Sequence, residues 1–148
     1  MDARIRAARI KLVAFDIDGV MTDGGLHYTD DGRELKTFNV QDGFGLKLLQ
    51  QAGLELAIVT GRTSGVVAAR AADLGIEHVF QGVADKAAVV AGLLEKLGLH
   101  WPECAFMGDD LIDLRVMSQC GLALAPANAR QVVRERAHAV TDSAGGHG

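Results

Sequence analysis

Short apolar runs, each ending in a polar cluster or a glycine, punctuate the chain. Leu12-Val13-Ala14-Phe15 leads into Asp16-Ile17-Asp18-Gly19, Leu56-Ala57-Ile58-Val59 into Thr60-Gly61-Arg62, and Cys104-Ala105-Phe106-Met107 into Gly108-Asp109-Asp110. Leu122-Ala123-Leu124-Ala125 is a fourth run, and 76–80 and 138–140 read as further short strands. Uninterrupted runs of this length predict strands buried on both faces, as in a parallel sheet. Between them the apolar spacing turns helical. Phe44, Leu48 and Leu49 predict a helix over 42–53 with a glycine stop, and a second helix covers 64–74 and stops at Gly75. Val89, Val90, Leu93, Leu94 and Leu97 stripe a helix over 85–97; further helices are predicted over 111–118 and 128–136, with a loop at 99–103. Strands alternating with helices predict a Rossmann-like α/β fold, a parallel sheet flanked by helices.

One stretch departs from this rhythm. Leu26-His27-Tyr28 and Leu35 to Val40 alternate around the turn signal Asp30-Asp31-Gly32, which predicts a β-hairpin over about 25–40 inserted after the first strand. An isolated hairpin is marginally stable, so it is expected to pack on another subunit. No insertion is large enough for a cap domain, and 148 residues suit a single domain over 1–148.

Composition narrows the function. Apolar residues make up 49% of the chain and aromatics 5%, so aliphatic side chains must build the core. A net charge of −4 leaves no basic stripe to neutralise nucleic-acid phosphates. Cys104 and Cys120 lack metal-ligand spacing and read as small core residues of a reduced protein, and the five histidines are scattered. The basic 1–11 segment precedes no long apolar stretch, and none approaches the roughly 18 residues of a membrane span. The expectation is a soluble cytoplasmic protein without membrane partners.

The carboxyl ends of parallel strands line one edge of the sheet, so Asp16/Asp18, Thr60/Arg62 and Asp109/Asp110 are expected to converge. Two carboxylates that close suit a hard divalent cation, or divide nucleophile and general-acid roles. Each cluster alone has a structural explanation: an Asx-type turn for Asp16 to Gly19, a helix entry at Thr60-Gly61, an N-cap at Asp110. Lys86 adds weight. It falls in a first helical turn, where the macrodipole disfavours a cation by about 0.3–1 kcal/mol unless an anion is there to meet it.

Taken together these residues resemble the haloacid dehalogenase superfamily of phosphotransferases. Asp16-Ile17-Asp18-Gly19 is similar to its first motif, Thr60-Gly61-Arg62 to its second, Lys86 to its third and Gly108 to Asp113 to its fourth. The resemblance implies that Asp16 is a nucleophile forming an aspartyl-phosphate, and that Asp18 is the general acid and then the general base. It implies that Thr60 and Lys86 bind phosphoryl oxygens. Mg²⁺ would be held by the Asp16 carboxylate, the Asp18 carbonyl and Asp109, with Asp113 in support. Asp18 to Gly24, Phe38 to Gly43, the fourth motif and Ala144-Gly145-Gly146 further resemble the cap-less 3-deoxy-D-manno-octulosonate 8-phosphate (Kdo 8-phosphate) phosphatases of lipopolysaccharide precursor biosynthesis. That likeness implies a homotetramer built through the hairpin. It also implies substrate contacts from Asp18, Asn39, Asp42, Gly43, Lys47, Arg62, Arg70 and Lys86, although Arg70 reads equally as a solvated helix residue. A related phosphatase for a nine-carbon sialic-type sugar phosphate would share every catalytic residue, and a non-catalytic assembly module would share the fold. The family usually continues Gly-Gly-Arg-Gly into a further segment, whereas this sequence reads Gly145-Gly146-His147-Gly148; tail-assisted closure over substrate is therefore in question.

Overall fold

The structure is a computed structural model describing residues 1–148. After α1 (Ala3–Ala7) and β1 (Leu12–Phe15), the short strands β2 (His27–Tyr28) and β3 (Glu34–Leu35) pair antiparallel as a separate hairpin. Then follow α2 (Val40–Gln51), β4 (Glu55–Val59), α3 (Gly65–Leu74), β5 (His78–Phe80), α4 (Lys86–Leu97), β6 (Cys104–Met107), α5 (Leu114–Gln119), β7 (Leu122–Ala125), α6 (Gln131–Arg136) and β8 (Ala139–Val140). Six strands form one sheet in the order β5-β4-β1-β6-β7-β8, every pair parallel. The order winds outward in both directions from β1 and β6, and in such sheets the crevice at the carboxyl ends of the two central strands is the usual ligand site.

Alternation along the strands divides the core between the faces. Leu12, Ala14, Ala57, Val59 and Phe106 meet Val90, Leu93 and Leu94 of α4, Val116 and Met117 of α5, and Val133 of α6. On the opposite face Val13, Leu56, Ile58 and Ala105 meet Leu46 of α2 and Val67, Ala71 and Leu74 of α3. Each fully buried aliphatic side chain contributes about 1.5–3 kcal/mol. Cys104 and Cys120 lie buried as free thiols on the first of these faces, as expected of small core residues. No helix is long and apolar enough to cross a membrane.

The helix signals act as their chemistry requires. Ser64 accepts the Val66 N–H at 3.2 Å to start α3, and Gly75 ends it at φ 68°. Asp85 accepts the Ala88 N–H to start α4, which Gly98 ends in the same left-handed conformation.

Some boundaries differ from expectation. The second hairpin arm stops at Leu35, and Val40 opens α2, because the Asn39 side chain accepts the Gln41 N–H at 2.7 Å and caps the helix there. The expected loop at 99–103 contains a 3₁₀ turn, Trp101–Glu103, in which the Glu103 carboxylate accepts the His100 N–H. Another 3₁₀ turn, Leu111–Asp113, precedes α5. The last helix begins only at Gln131, since Asn128 is engaged elsewhere: it donates to the Gly19 carbonyl at 3.0 Å and accepts the Gly145 N–H at 2.7 Å. The helix α1 was not expected from the basic N-terminal pattern; its start is capped by Asp2.

Candidate active site

The Asp16 N–H donates to the Met107 carbonyl at 3.1 Å, extending the β1–β6 pairing one residue past the strand end. Its carboxylate therefore leaves the sheet at the central crevice, with the side chain fixed by paired backbone. The chain then turns sharply: the Ile17 carbonyl accepts the N–H groups of Val20, Met21 and Thr22. Gly19 sits in this turn at φ 83°, and a side-chain carbon there would collide with the Asp109 carboxylate. Glycine thus permits both the turn and the close approach of the loop after β6.

Lys86, at the first position of α4, reaches into the space between the two loops. Its ammonium lies 3.1 Å from Asp16 Oδ1 and 2.7 Å from Asp113 Oδ1, with the lysine side chain 2% exposed and Asp113 fully buried. Asp113 Oδ2 accepts the N–H groups of Asp109 and Asp110 at 3.0 and 3.2 Å. Both oxygens of Asp113 are committed, which suits it to holding Lys86 and the Asp109 loop in place.

Asp16, Asp109 and Asp113 bring carboxylate oxygens within 4.8 Å of one another. Burial pushes the Asp16 pKa up against the pull of Lys86, with Asp113 adding to the rise. Burial and the neighbouring Asp16, then Asp113, push Asp109 up to about 8. Burial opposes the charge on Lys86, but Asp16 and Asp113 outweigh it and hold its pKa above the ordinary lysine value. Three clustered carboxylates facing one buried lysine are short of positive charge, and their donors are hard oxygens. That combination fits a small divalent cation such as Mg²⁺.

Thr60 follows β4 and is 2% exposed. Its N–H donates to the Phe80 carbonyl and its own carbonyl accepts the Val83 N–H, at 2.9 and 3.1 Å. Arg62 is tied to the hairpin and faces Asp18. It donates to Glu34 at 3.0 Å and to the Tyr28 hydroxyl at 3.1 Å, both on the hairpin, and its Nε lies 3.5 Å from Asp18 Oδ2. The hairpin also delivers Lys36, whose ammonium is 2.6 Å from Asp18 Oδ1 and 2.8 Å from Glu34. Sequence reasoning missed Tyr28, Glu34 and Lys36 at the site. The signal was the alternation, which puts Glu34 and Lys36 on one side of the arm with Tyr28 directly opposite Glu34 in register.

The other expected substrate residues form a separate group at the start of α2. Asn39, besides capping the helix, donates to the Gly146 carbonyl at 3.3 Å. Arg70 lies over the Phe38 ring, 5.6 Å from its centre, donates to the Asn39 carbonyl, and brings its guanidinium close against Gly43. The space enclosed by Phe38, Asn39, Asp42, Gly43 and Arg70 is only about 10 Å³. Asp42 Oδ2 is buried without a partner, and burial raises its pKa. Beside it a cleft of about 420 Å³, walled by Phe15, Met21, Leu49 and Met107, adjoins the 144–146 segment; Asp16, Lys86 and Asp109 do not line it. The Lys47 ammonium lies beside Gly75 at the C-terminal end of α3, where helix carbonyls favour a cation.

Known proteins resemble this chain over nearly its whole length. Residues 74–148 match the model for haloacid dehalogenase-like hydrolases. The chain is 43% identical to the 3-deoxy-D-manno-octulosonate 8-phosphate phosphatase KdsC of Escherichia coli K12 over 99% of its own length and 78% of the relative's. The crystal structure of the corresponding phosphatase from Yersinia pestis superposes with a TM-score of 0.97 at 44% identity, covering 99% of this chain and 80% of that one. The Moraxella catarrhalis phosphatase, solved in complex with magnesium, phosphate and KDO, gives a TM-score of 0.95 at 42% identity, covering 97% of this chain and 83% of that one.

Proposed function

Because the chain belongs to the haloacid dehalogenase-like hydrolases and, within them, to the 3-deoxy-D-manno-octulosonate 8-phosphate phosphatases, we propose that it hydrolyses Kdo 8-phosphate to Kdo and inorganic phosphate through a phosphorylated Asp16. The placement of Asp16 carries this reading: a buried carboxylate fixed at the central crevice, touching Lys86 and sharing its pocket with Asp109. An oxygen of Asp16 attacks phosphorus while the bond to the sugar oxygen breaks, and Asp18 gives its proton to that oxygen. Asp18 then takes a proton from water as the water attacks the aspartyl-phosphate, which returns Asp16 and frees phosphate. Lys86 and Thr60 hold the equatorial oxygens, and Asp113 holds Lys86. Mg²⁺ would be held by the carboxylates of Asp16 and Asp109 and the Asp18 carbonyl, and would supply the charge neutralisation that an anionic nucleophile needs to approach a phosphate. The Kdo so formed would feed lipopolysaccharide precursor synthesis.

Phosphate release from Kdo 8-phosphate, a sialic acid 9-phosphate and an aryl phosphate, each with Mg²⁺ and with chelator, tests the assignment. Metal-dependent preference for Kdo 8-phosphate is expected. Equal rates on all three would remove the substrate claim, and a folded protein inactive on all three would remove the chemistry as well.

Metal binding is also expected to compete with protons. Asp109 has its pKa raised to about 8, so below that pH it must release a proton to become a ligand. The rise in melting temperature on adding Mg²⁺ should therefore grow from pH 5 toward about 8 and level off above it. A shift that is constant across this range, or larger at pH 5, would count against Asp109 as a ligand.

We further propose that the chain assembles as a homotetramer. Leu26, Tyr28 and Leu35 of the hairpin are at least half exposed, and Val40, Phe44 and Leu48 form an exposed stripe along α2, with Val40 at 82% and Phe44 at 66%. Apolar surface this contiguous is uncommon on a monomer. In such an assembly the Asn39, Asp42 and Arg70 side chains and the Gly43 backbone would serve substrate across an interface. Sedimentation velocity showing a monomer at micromolar concentration would rule this out.

A further inference from the structure

The cation nearest to Asp18 comes from the hairpin. We propose that Lys36 is a positioning residue for the reaction, holding the Asp18 carboxylate in the orientation from which it gives and takes its proton. The proposal rests on Asp18 being the acid and base assigned above.

Lys36 places its ammonium 2.6 Å from Asp18 Oδ1 and 2.8 Å from Glu34 Oε1, and its side chain is 2% exposed. Burying a lysine so completely is unfavourable unless its charge is matched, and here two carboxylates match it. On the other side Arg62 Nε lies 3.5 Å from Asp18 Oδ2, while its Nη2 meets the same Glu34 oxygen at 3.0 Å. Each Asp18 oxygen therefore faces one cation, and Glu34 ties the two cations together. A carboxylate oxygen has two lone-pair directions, so this clamp leaves positions on Asp18 free to carry the transferring proton. A tether serving only to dock the hairpin would be complete with the Arg62–Glu34 and Arg62–Tyr28 contacts. Lys36 goes further and grips Asp18 itself.

The chemistry gives the clamp a consequence that depends on substrate. When the phosphoryl group passes to Asp16, the departing electron pair stays on the ester oxygen. A sugar alkoxide is too basic to leave without the Asp18 proton, whereas a nitrophenolate leaves well without it. Loosening Asp18 should slow the first reaction far more than the second.

The experiment measures kcat and KM on Kdo 8-phosphate and on 4-nitrophenyl phosphate for the intact protein and for Lys36→Met, Lys36→Gln, Lys36→Arg and Asp18→Asn. Lys36→Met should lower kcat on the sugar phosphate by about 100-fold with KM little changed, and on the aryl ester by only about threefold. Lys36→Gln should follow the same pattern and substitutes for Lys36→Met if that variant folds poorly, while Lys36→Arg should regain at least about tenfold on the sugar ester. Equal losses on both esters, or no loss, would overturn the proposal. Asp18→Asn separates the levels: if it discriminates between the esters and the Lys36 variants do not, only the role of Lys36 is wrong. If Asp18→Asn itself fails to discriminate, the assignment of Asp18 is wrong and the Lys36 proposal falls with it.

Discussion

Asp16→Asn should fold, melt at or above the temperature of the parent protein, and release phosphate slower by at least about 1,000-fold. The amide matches the carboxylate in size, and the backbone bond from Asp16 to Met107 that fixes the strand end is untouched. Lys86 keeps its 2.7 Å contact with Asp113. Asp109, whose pKa is raised by burial first and by Asp16 next, loses a repulsive neighbour, so the substitution removes electrostatic strain. An amide oxygen, in contrast, is a poor nucleophile and a weak ligand for a hard cation. Phosphate release and a thermal melt on the same preparation make the test. Turnover near the parent rate would eliminate the aspartyl-phosphate mechanism, and a collapsed melt would show that Asp16 is structural.

The second large effect is on stability. Lys86→Met should destabilise the fold by about 3–5 kcal/mol in urea denaturation and abolish turnover. The methionine preserves the apolar stem against Phe106, whose ring centre lies 5.9 Å from the ammonium. What is lost is the only cation in contact with Asp16 and Asp113, which are 6% and 0% exposed. Removing one partner of a buried ion pair leaves the other charge uncompensated, and that penalty exceeds the net worth of the pair. The deficit should shrink as pH falls. Asp16 has its pKa raised chiefly by burial, so its folded form binds a proton more readily than the unfolded chain, and low pH favours the folded state of the variant. Unchanged stability at neutral pH would mean that the cluster is neutralised in another way.

Much of this arrangement is legible in the amino-acid sequence, and the reason is topological. Parallel strands deliver their last residues to one edge, so Asp16, Thr60 and Asp109 could be placed together from four-residue apolar runs alone. Lys86 stood out because a first-turn lysine conflicts with the helix dipole. The hairpin contacts were harder to see. Lys36 occupies an ordinary polar position in an alternating stretch, and only the fold-back of the arm onto Asp18 distinguishes it from a solvated lysine. Boundaries slipped where side chains competed for backbone groups. Asn39 captured the Gln41 N–H and ended the second arm early. Asn128 stayed out of the last helix to bridge the Gly19 loop and Gly145. Neither choice leaves a mark in hydrophobic periodicity. Lys47 is expected at the substrate from the family resemblance, and its position beside Gly75 at the end of α3 has no signal in the hydrophobic pattern.

The pairing of β1 with β6 has a kinetic meaning. These strands are adjacent in the sheet yet separated by most of the chain, and closing so long a loop is slow because its entropy is lost before its contacts form. A chain emerging from the ribosome carries Asp16 early, but Asp109 and Asp113 arrive only after α4 has been made. Until then the carboxylate cluster of Asp16, Asp109 and Asp113 is incomplete. Acquisition of metal affinity during refolding would therefore time the docking of β6 against β1, separately from the earlier appearance of helix.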